Sequence, residues 1–313
     1  MMRRTFLNTA ALSTAAAAVG AGLSVSAQAA VPKTEGDAAK AWAFLSGEEQ
    51  AKHVKSLPVR MQRLAAVSAL TAIGDDLTLA DIIRQALTEK VEPLALREAI
   101  MQVMPYAGVP LARRAEDLLL AILEEQKLPL PQPAPAPEDG RFEVGLKIQK
   151  GIFGPAIDHM HRNAKADERP LMVDMLTSFC FAVGYVRPGL TLQERELLTF
   201  AVISALGGCE PQVKAHAGGN ISVGNTRQML LDTLVVLNPI IGFPKTLNAL
   251  GMVNEAAPAK EGVMDPLSPA CMVPGTLRDA SGSPRAALEK RGRSDERSGR
   301  PRSHLGRTGA CGW

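Results

Sequence analysis

Residues 191–208, with the sequence TLQERELLTFAVISALGG, contain the start, the apolar face and the end of one helix. Thr191 and Glu194 have the spacing of a capping box, in which each side chain satisfies a backbone N–H of the first helical turn. Apolar residues follow at i, i+3 and i+4 spacing from Leu197 onward. The stretch therefore predicts an amphipathic helix that ends at the glycine pair beginning with Gly207.

The same pattern occurs a second time, 134 residues earlier in the chain. Residues 62–116 align with residues 196–250 without a gap, and the apolar positions of the two stretches coincide. Glycines and prolines also fall on equivalent positions: Gly74 with Gly208, Pro105 with Pro239, Gly108 with Gly242, and Pro110 with Pro244. We interpret the two stretches as copies of one helical unit.

Composition favours an all-α fold. Hydrophobic residues make up 46% of the chain and aromatic residues 4%, so the core must come mostly from aliphatic side chains, Ala and Met. Ala, Leu and Met are strong helix formers, and β-branched runs are scarce. In the second copy, Pro211, Thr226 and Gly242 divide the sequence after residue 208 into three further helices.

The first thirty residues resemble a twin-arginine export signal. Arg3 and Arg4 precede Phe6 and Leu7, an Ala-rich apolar stretch follows, and residues 27–29 (Ala-Gln-Ala) supply the small residues of a cleavage site. We therefore expect residues 1–29 to be a signal peptide and the mature protein to be periplasmic. A lone N-terminal membrane anchor is the alternative.

After the signal, composition divides the chain into four segments. We predict a first repeat at 37–126, a proline-rich linker at 127–140, a second repeat at 141–256, and a disordered basic tail at 257–313. The tail holds ten Lys or Arg against six Asp or Glu, whereas the other 256 residues hold 25 against 26. Because the body is almost neutral, we expect no nucleic-acid partner. We also expect no membrane contact in the mature form, since apolar stretches of about 18 residues are absent after the signal.

Three side chains of the second copy are candidate catalytic residues: His216, Glu196 and Cys209. Cys209 and His216 are seven residues apart, so two helical turns are expected to put them on one face. Glu196 lies on the preceding helix, and a carboxylate bonded to an imidazole fixes its tautomer and raises its basicity. Since the first copy has other residues at all three positions, we predict that it is a structural half; those residues are Gln62, Asp75 and Ile82.

We expect neither a metal nor an organic cofactor. The four cysteines lack the close pairing of a zinc site, and His159 and His161 lie two residues apart, on different faces of a helix. The sequence also lacks a Gly-rich phosphate loop and a dinucleotide fingerprint.

Four segments of the second copy resemble the carboxymuconolactone decarboxylase family, which includes the alkylhydroperoxidase AhpD. They are residues 187–199, 209–216, 223–225 and 242–249. The resemblance is specific over residues 180–254 and weaker over residues 60–116. It implies an all-helical, AhpD-like fold with two tandem repeats, the first of them degenerate. It also implies a homo-oligomer, which for a two-repeat chain would be a trimer.

The resemblance also implies roles for the candidate residues. His216 matches the functional histidine of the family, Glu196 its helix-borne glutamate, and Cys209 the first thiol of the AhpD Cys-x-x-Cys motif. Gln212 stands where the second thiol of that motif would be. A thiol mechanism would therefore need Cys180, another chain or an external thiol to resolve an oxidised Cys209.

Three functions follow. The leading one is a cofactor-free lyase on a small organic acid or lactone, with His216 as acid and base and Glu196 orienting it. The alternative is an AhpD-like peroxidase, in which a helix N-terminus and a nearby histidine lower the pKa of Cys209; a small buried residue is the other interpretation of this cysteine. The third is a non-catalytic periplasmic binding or scaffold protein.

Overall fold

The computed structural model describes residues 51–132 and 139–259. Within these two ranges the chain is helical and contains no strand, which confirms the predicted all-α class. The predicted signal peptide, the start of the first repeat, the centre of the proline-rich linker and nearly all of the basic tail lie outside the described residues.

The helices follow the order expected from two repeats. The first repeat contains α1 (Val59–Ile73), α2 (Asp76–Thr88), α3 (Pro93–Met101), α4 (Met104–Ala107) and α5 (Val109–Glu125). The predicted second repeat begins with α6 (Arg141–Phe153), α7 (Ala156–Asn163) and α8 (Pro170–Gly184), the last wound as a π-helix. The second repeat contains α9 (Leu192–Leu206), α10 (Glu210–Ser222) and α11 (Arg227–Ala256).

The helix boundaries confirm the sequence signals. Thr191 Oγ1 accepts a hydrogen bond from the backbone N–H of Glu194, whose side chain accepts one from the backbone of Thr191, so the capping box is complete. Gly108 (φ 94°) separates α4 from α5, and the equivalent Gly242 (φ 76°) interrupts α11 at the same point of its repeat. These left-handed values are readily adopted only by glycine, which explains why both copies retain it.

Both repeats share one hydrophobic core. Helices α1 and α9 are equivalent and pack against each other, and their equivalent residues Leu64 and Leu198 are fully buried. Among the described helices, α11 is long and apolar enough to span a membrane by length and composition. It is interrupted at Gly242, however, and it contributes Leu237 and Val253 to this core, as expected of a core helix.

Equivalent acidic residues, Glu98 and Asp232, each hold the segment that leads into the other repeat. Asp232 Oδ2 accepts hydrogen bonds from the backbone N–H groups of Ser56 (2.6 Å) and Leu57 (3.0 Å). Glu98 binds the guanidinium groups of Arg187, in the segment that leads into α9, and of Arg195, on α9 itself. Both acids are fully buried, so each depends on these partners to offset the cost of enclosing a carboxylate.

Helices α6 and α8 touch backbone to backbone at Gly145. A Cβ atom placed on Gly145 would lie 2.0 Å from the backbone oxygen of Thr177, so the contact has no space for a side chain. We therefore expect Gly145→Ala to lower the free energy of unfolding by about 2 kcal/mol or more, because the helices must separate. Urea unfolding followed by circular dichroism measures the change.

Gly151→Ala is the matched control, since Gly151 lies on the same helix with open space around it. Alanine there should leave stability unchanged or raise it by about 0.5–1 kcal/mol. Equal effects of the two substitutions would contradict the close contact of α6 with α8.

Candidate active site

The structure brings His216 and Glu196 together between helices α9 and α10. His216 Nδ1 lies 2.9 Å from Glu196 Oε2, within hydrogen-bond distance. The Glu196 side chain is fully enclosed, whereas 10% of the His216 side chain remains accessible to solvent. Of the two, the imidazole is therefore the group that a substrate can reach.

Two asparagines fix the relative position of α9 and α10. Asn220 Nδ2 donates to the backbone oxygens of Glu196 (3.0 Å) and His216 (2.8 Å), and so links the two helices directly. Asn225 Nδ2 in turn donates to Asn220 Oδ1 (2.7 Å), which sets the orientation of the Asn220 amide. This cross-link explains the asparagine at residue 225, inside one of the segments that carry the family resemblance.

The same approach of the two helices requires a small residue at Gly219. A Cβ atom on Gly219 would lie 2.8 Å from Glu196 Oε2 and 2.9 Å from Ile152 Cγ2. Any side chain at this position would therefore push against the carboxylate that His216 contacts.

Two aromatic rings enclose the imidazole. Phe153, at the end of α6, meets it edge-on with the ring centres 5.2 Å apart, and Tyr106 of α4 does so at 6.0 Å. Tyr106 belongs to the first repeat and Phe153 to the first helix of the predicted second repeat. The first repeat therefore contributes a wall of the site, beyond the purely structural role predicted for it.

Both tyrosines of the chain lie at the site, and sequence reasoning missed them. Tyr185 OH donates to Glu196 Oε1 (2.5 Å), and Tyr106 OH lies 3.3 Å from Tyr185 OH. Burial, reinforced by the nearby Glu196 carboxylate, raises the pKa of both phenols well above the usual value, so both remain neutral. Their rarity is the signal that could have found them, since the chain has just two tyrosines.

Cys209 does not join this cluster. It precedes the first residue of α10 with non-helical backbone angles (φ −130°, ψ 42°), so the predicted common helix face with His216 is wrong. Its Sγ points back to the end of α9, 3.1 Å from the backbone oxygen of Ile203. There it lines a small cleft with Ser204, Lys245 and Asn248, apart from Glu196 and His216.

The expected activation of Cys209 is also wrong. Burial, together with the neighbouring Glu210 carboxylate, raises the pKa of the Cys209 thiol, and the Lys245 ammonium only partly opposes this. Cys180 is no better placed as its partner: burial raises its pKa to about 12, and its Sγ lies 3.5 Å from Tyr106 OH. The two sulfurs therefore face different surroundings.

In the first repeat, the three equivalent positions have structural roles. Asp75 accepts a hydrogen bond from the backbone of Thr78 and caps α2, and Gln62 donates to the backbone oxygen of Leu57. Ile82 packs against the hydrophobic core. Each of these contacts stabilises a helix or the core, and none reproduces the imidazole–carboxylate pair.

The histidines of α7 interact with neighbouring protein groups. His159 hydrogen-bonds Asn163, and His161 lies 3.5 Å from Thr177 Oγ1 and near the ring of Phe142. Within residues 51–132 and 139–259, we find no group of three His, Cys, Asp or Glu side chains arranged to hold a metal ion.

Comparison with known proteins agrees with this arrangement of two helical units. The carboxymuconolactone decarboxylase family matches the chain twice, at residues 37–121 and 170–255. The chain belongs to this family. The double match supports the tandem repeat on independent grounds. A curated relative, the 4-carboxymuconolactone decarboxylase of Acinetobacter baylyi, is 25% identical over 120 residues, which cover 38% of this chain and 87% of that protein.

The surroundings of the two described cysteines predict slow thiol chemistry. Because the thiolate is the reactive form and both pKa values are raised, neither Cys209 nor Cys180 should alkylate rapidly at pH 7. Labelling of Cys209 by iodoacetamide, followed by mass spectrometry, should accelerate about tenfold per pH unit up to its pKa. Unfolded chain in urea is the control, and rapid native labelling of Cys209 at pH 7 would show that its thiol is activated.

Proposed function

We propose that this chain is an acid–base lyase that acts on a small organic acid or lactone, with His216 as the proton-transferring residue. The contact between His216 Nδ1 and the enclosed Glu196 carboxylate is the observation that carries the proposal. An ionised Glu196 requires the proton of the neutral imidazole to be on Nδ1. The lone pair is then on Nε2, where it can exchange a proton with a substrate.

Loss of CO2 from a lactone acid illustrates the chemistry that such a pair supports. The bond between the carboxylate and its carbon breaks, and the electron pair moves into the conjugated lactone carbonyl. His216, protonated on both nitrogens, delivers the Nε2 proton to carbon and returns to the neutral form. Glu196 stabilises the imidazolium before transfer and holds the ring in place afterwards.

The peroxidase alternative receives less support from the site. It needs a thiolate and a resolving sulfur, whereas the pKa of Cys209 is raised and Cys180 faces Tyr106. A non-catalytic scaffold is also less well supported, because a core without chemistry does not need an enclosed carboxylate next to a partly accessible imidazole.

Location and assembly complete the proposal. We infer a periplasmic protein from the twin-arginine pattern at Arg3 and Arg4, and a homotrimer of two-repeat chains from the family resemblance. Aromatic catabolism is ordinarily cytoplasmic, so a periplasmic member is expected to act on a small acid or lactone other than carboxymuconolactone.

Three variants of the mature protein test the proposal on a panel of lactone acids, with CO2 release and lactone absorbance as readouts. We expect His216→Gln to lower kcat/KM by roughly a hundredfold to ten-thousandfold, the usual worth of a positioned acid–base group. Glu196→Gln should lower it less, because the imidazole remains. Cys209→Ser should retain most of the activity.

The same variants distinguish the alternatives. Hydroperoxide turnover that disappears in Cys209→Ser, from a protein that does not turn over lactone acids, would replace the lyase by a peroxidase. The non-catalytic scaffold would be favoured if the wild-type protein were inert towards both substrate classes and the variants had unchanged oligomeric state and stability. Full lyase activity in His216→Gln would show that another group transfers the proton.

A further inference from the structure

A chain of four hydrogen bonds runs through the core to the Glu196 carboxylate. Arg195 Nη1 donates to Gln102 Oε1 (2.9 Å), and Gln102 Nε2 donates to Thr199 Oγ1 (3.1 Å). Thr199 Oγ1 lies 3.1 Å from Tyr185 OH, which donates to Glu196 Oε1. Apart from Tyr185, which is 7% exposed, all of these residues are fully buried.

The donors in this chain have a fixed direction. A guanidinium can only donate, so the Gln102 oxygen faces Arg195 and its NH2 group donates onward to Thr199. The Thr199 oxygen therefore accepts from Gln102, and the single proton of its hydroxyl faces the oxygens of Tyr106 (3.3 Å) and Tyr185 (3.1 Å). A phenol has one proton, and the proton of Tyr185 is donated to Glu196. The last hydrogen bond of the chain is therefore donated to the carboxylate.

The equivalent positions of the opposite repeat, 134 residues away in the sequence, show that packing does not require these residues. There, Met61 and Ala65 stand in place of Arg195 and Thr199. Likewise, Val236 and Ile240 stand in place of Gln102 and Tyr106. Apolar side chains fill that face of the core, so the polar chain occurs only on the face that leads to His216. Burying polar side chains where apolar ones would fit costs free energy unless each polar group is paired, which favours a role for the polar chain in the site.

We propose that Tyr185 is a positioning residue for the acid–base pair, and that Gln102 of the first repeat sets the orientation of its hydroxyl group. Tyr185 occupies Oε1 of Glu196 and leaves Oε2 to His216. It also stabilises the charged form of the carboxylate, which keeps the imidazole proton on Nδ1. The inference rests on the proposed function for the role of His216, and it assigns to the degenerate repeat a part in the proton chemistry.

Few titratable groups face the pair. Cys180 approaches the pair from α8, Tyr185 from the residue directly after α8, and Tyr106 from α4. Helix α6 presents Ile152 and Phe153. The charged groups on neighbouring surfaces are paired elsewhere: Arg195 with Glu98, Lys150 with Asp158, Lys214 with Glu255, and Glu210 with Asn248.

The test is an NMR titration of the His216 imidazole in the mature protein, labelled with ¹⁵N-histidine and assigned by the signal missing from His216→Gln. Without the Tyr185 hydroxyl, the carboxylate loses a hydrogen bond to its charged form, so the His216–Glu196 pair holds a proton more tightly. In Tyr185→Phe we expect the titration midpoint to rise by roughly half a pH unit or more.

Tyr106→Phe is the matched control, because it removes the neighbouring phenol of the same cluster, which hydrogen-bonds Tyr185 and Thr199 and not Glu196. We expect its midpoint to stay close to that of the wild type. An unchanged or lowered midpoint in Tyr185→Phe, or an equal rise in Tyr106→Phe, would overturn the role of Tyr185.

Gln102→Val tests the contribution of the first repeat, since valine is the residue at the equivalent position of the second. We expect a rise in the same direction and smaller than in Tyr185→Phe, because the Tyr185 proton then divides between Thr199 and Glu196. A folded Gln102→Val protein with the wild-type midpoint would overturn the role of Gln102. If this variant loses its folded NMR spectrum, Gln102→Met, which keeps the length of the side chain and also lacks the amide group, takes its place with the same two outcomes.

The titration reads the imidazole directly and does not depend on turnover. A wild-type protein without lyase activity would contradict the proposed function and leave the titration result standing. An unshifted midpoint in an active enzyme would contradict only the inference made here.

Discussion

The enclosure of one carboxylate, that of Glu196, constrains most of this structure. A buried carboxylate without partners is strongly unfavourable, so each oxygen must meet a donor. One oxygen meets Tyr185 and the other meets His216. The close approach of α9 and α10 that allows the second contact in turn requires a glycine at 219 and the Asn220 cross-link. The site is thus part of the way the two helices pack.

The two repeats have diverged within a nearly symmetric frame. Equivalent helices, equivalent left-handed glycines at 108 and 242, and equivalent buried acids at 98 and 232 show the common plan. One repeat kept the imidazole and its carboxylate, while the other has Ile82 and Gln62 there. The repeat without the pair supplies Tyr106 and Gln102 to it. The repeat that lacks the imidazole–carboxylate pair therefore still contributes side chains around that pair.

Much of this could be predicted from the sequence, because it depends on local pattern. The capping box at Thr191 and the break at Gly242 follow from backbone chemistry that operates within one turn of helix. The pairing of His216 with Glu196 could also be expected, since a short turn folds one helix directly back on the other. These features need no knowledge of distant contacts.

What could not be predicted depends on contacts between distant segments. Tyr106 and Tyr185 are 79 residues apart in the chain, and neither belongs to a recognisable motif. Cys209 departs from the predicted helix face because it stands just outside the helix, where helical spacing does not apply. Burial and the Glu210 carboxylate raise the pKa of its thiol, and these contacts cannot be read from the position of Cys209 before a helix.

The central claim is that an ionised Glu196 holds the neutral His216 with its proton on Nδ1 and leaves Nε2 free for chemistry. The ¹⁵N chemical shifts of the two His216 ring nitrogens, measured above the titration midpoint, distinguish the tautomers directly. We expect a protonated Nδ1 and an unprotonated Nε2. A proton on Nε2, with Nδ1 accepting from a neutral Glu196, would contradict it.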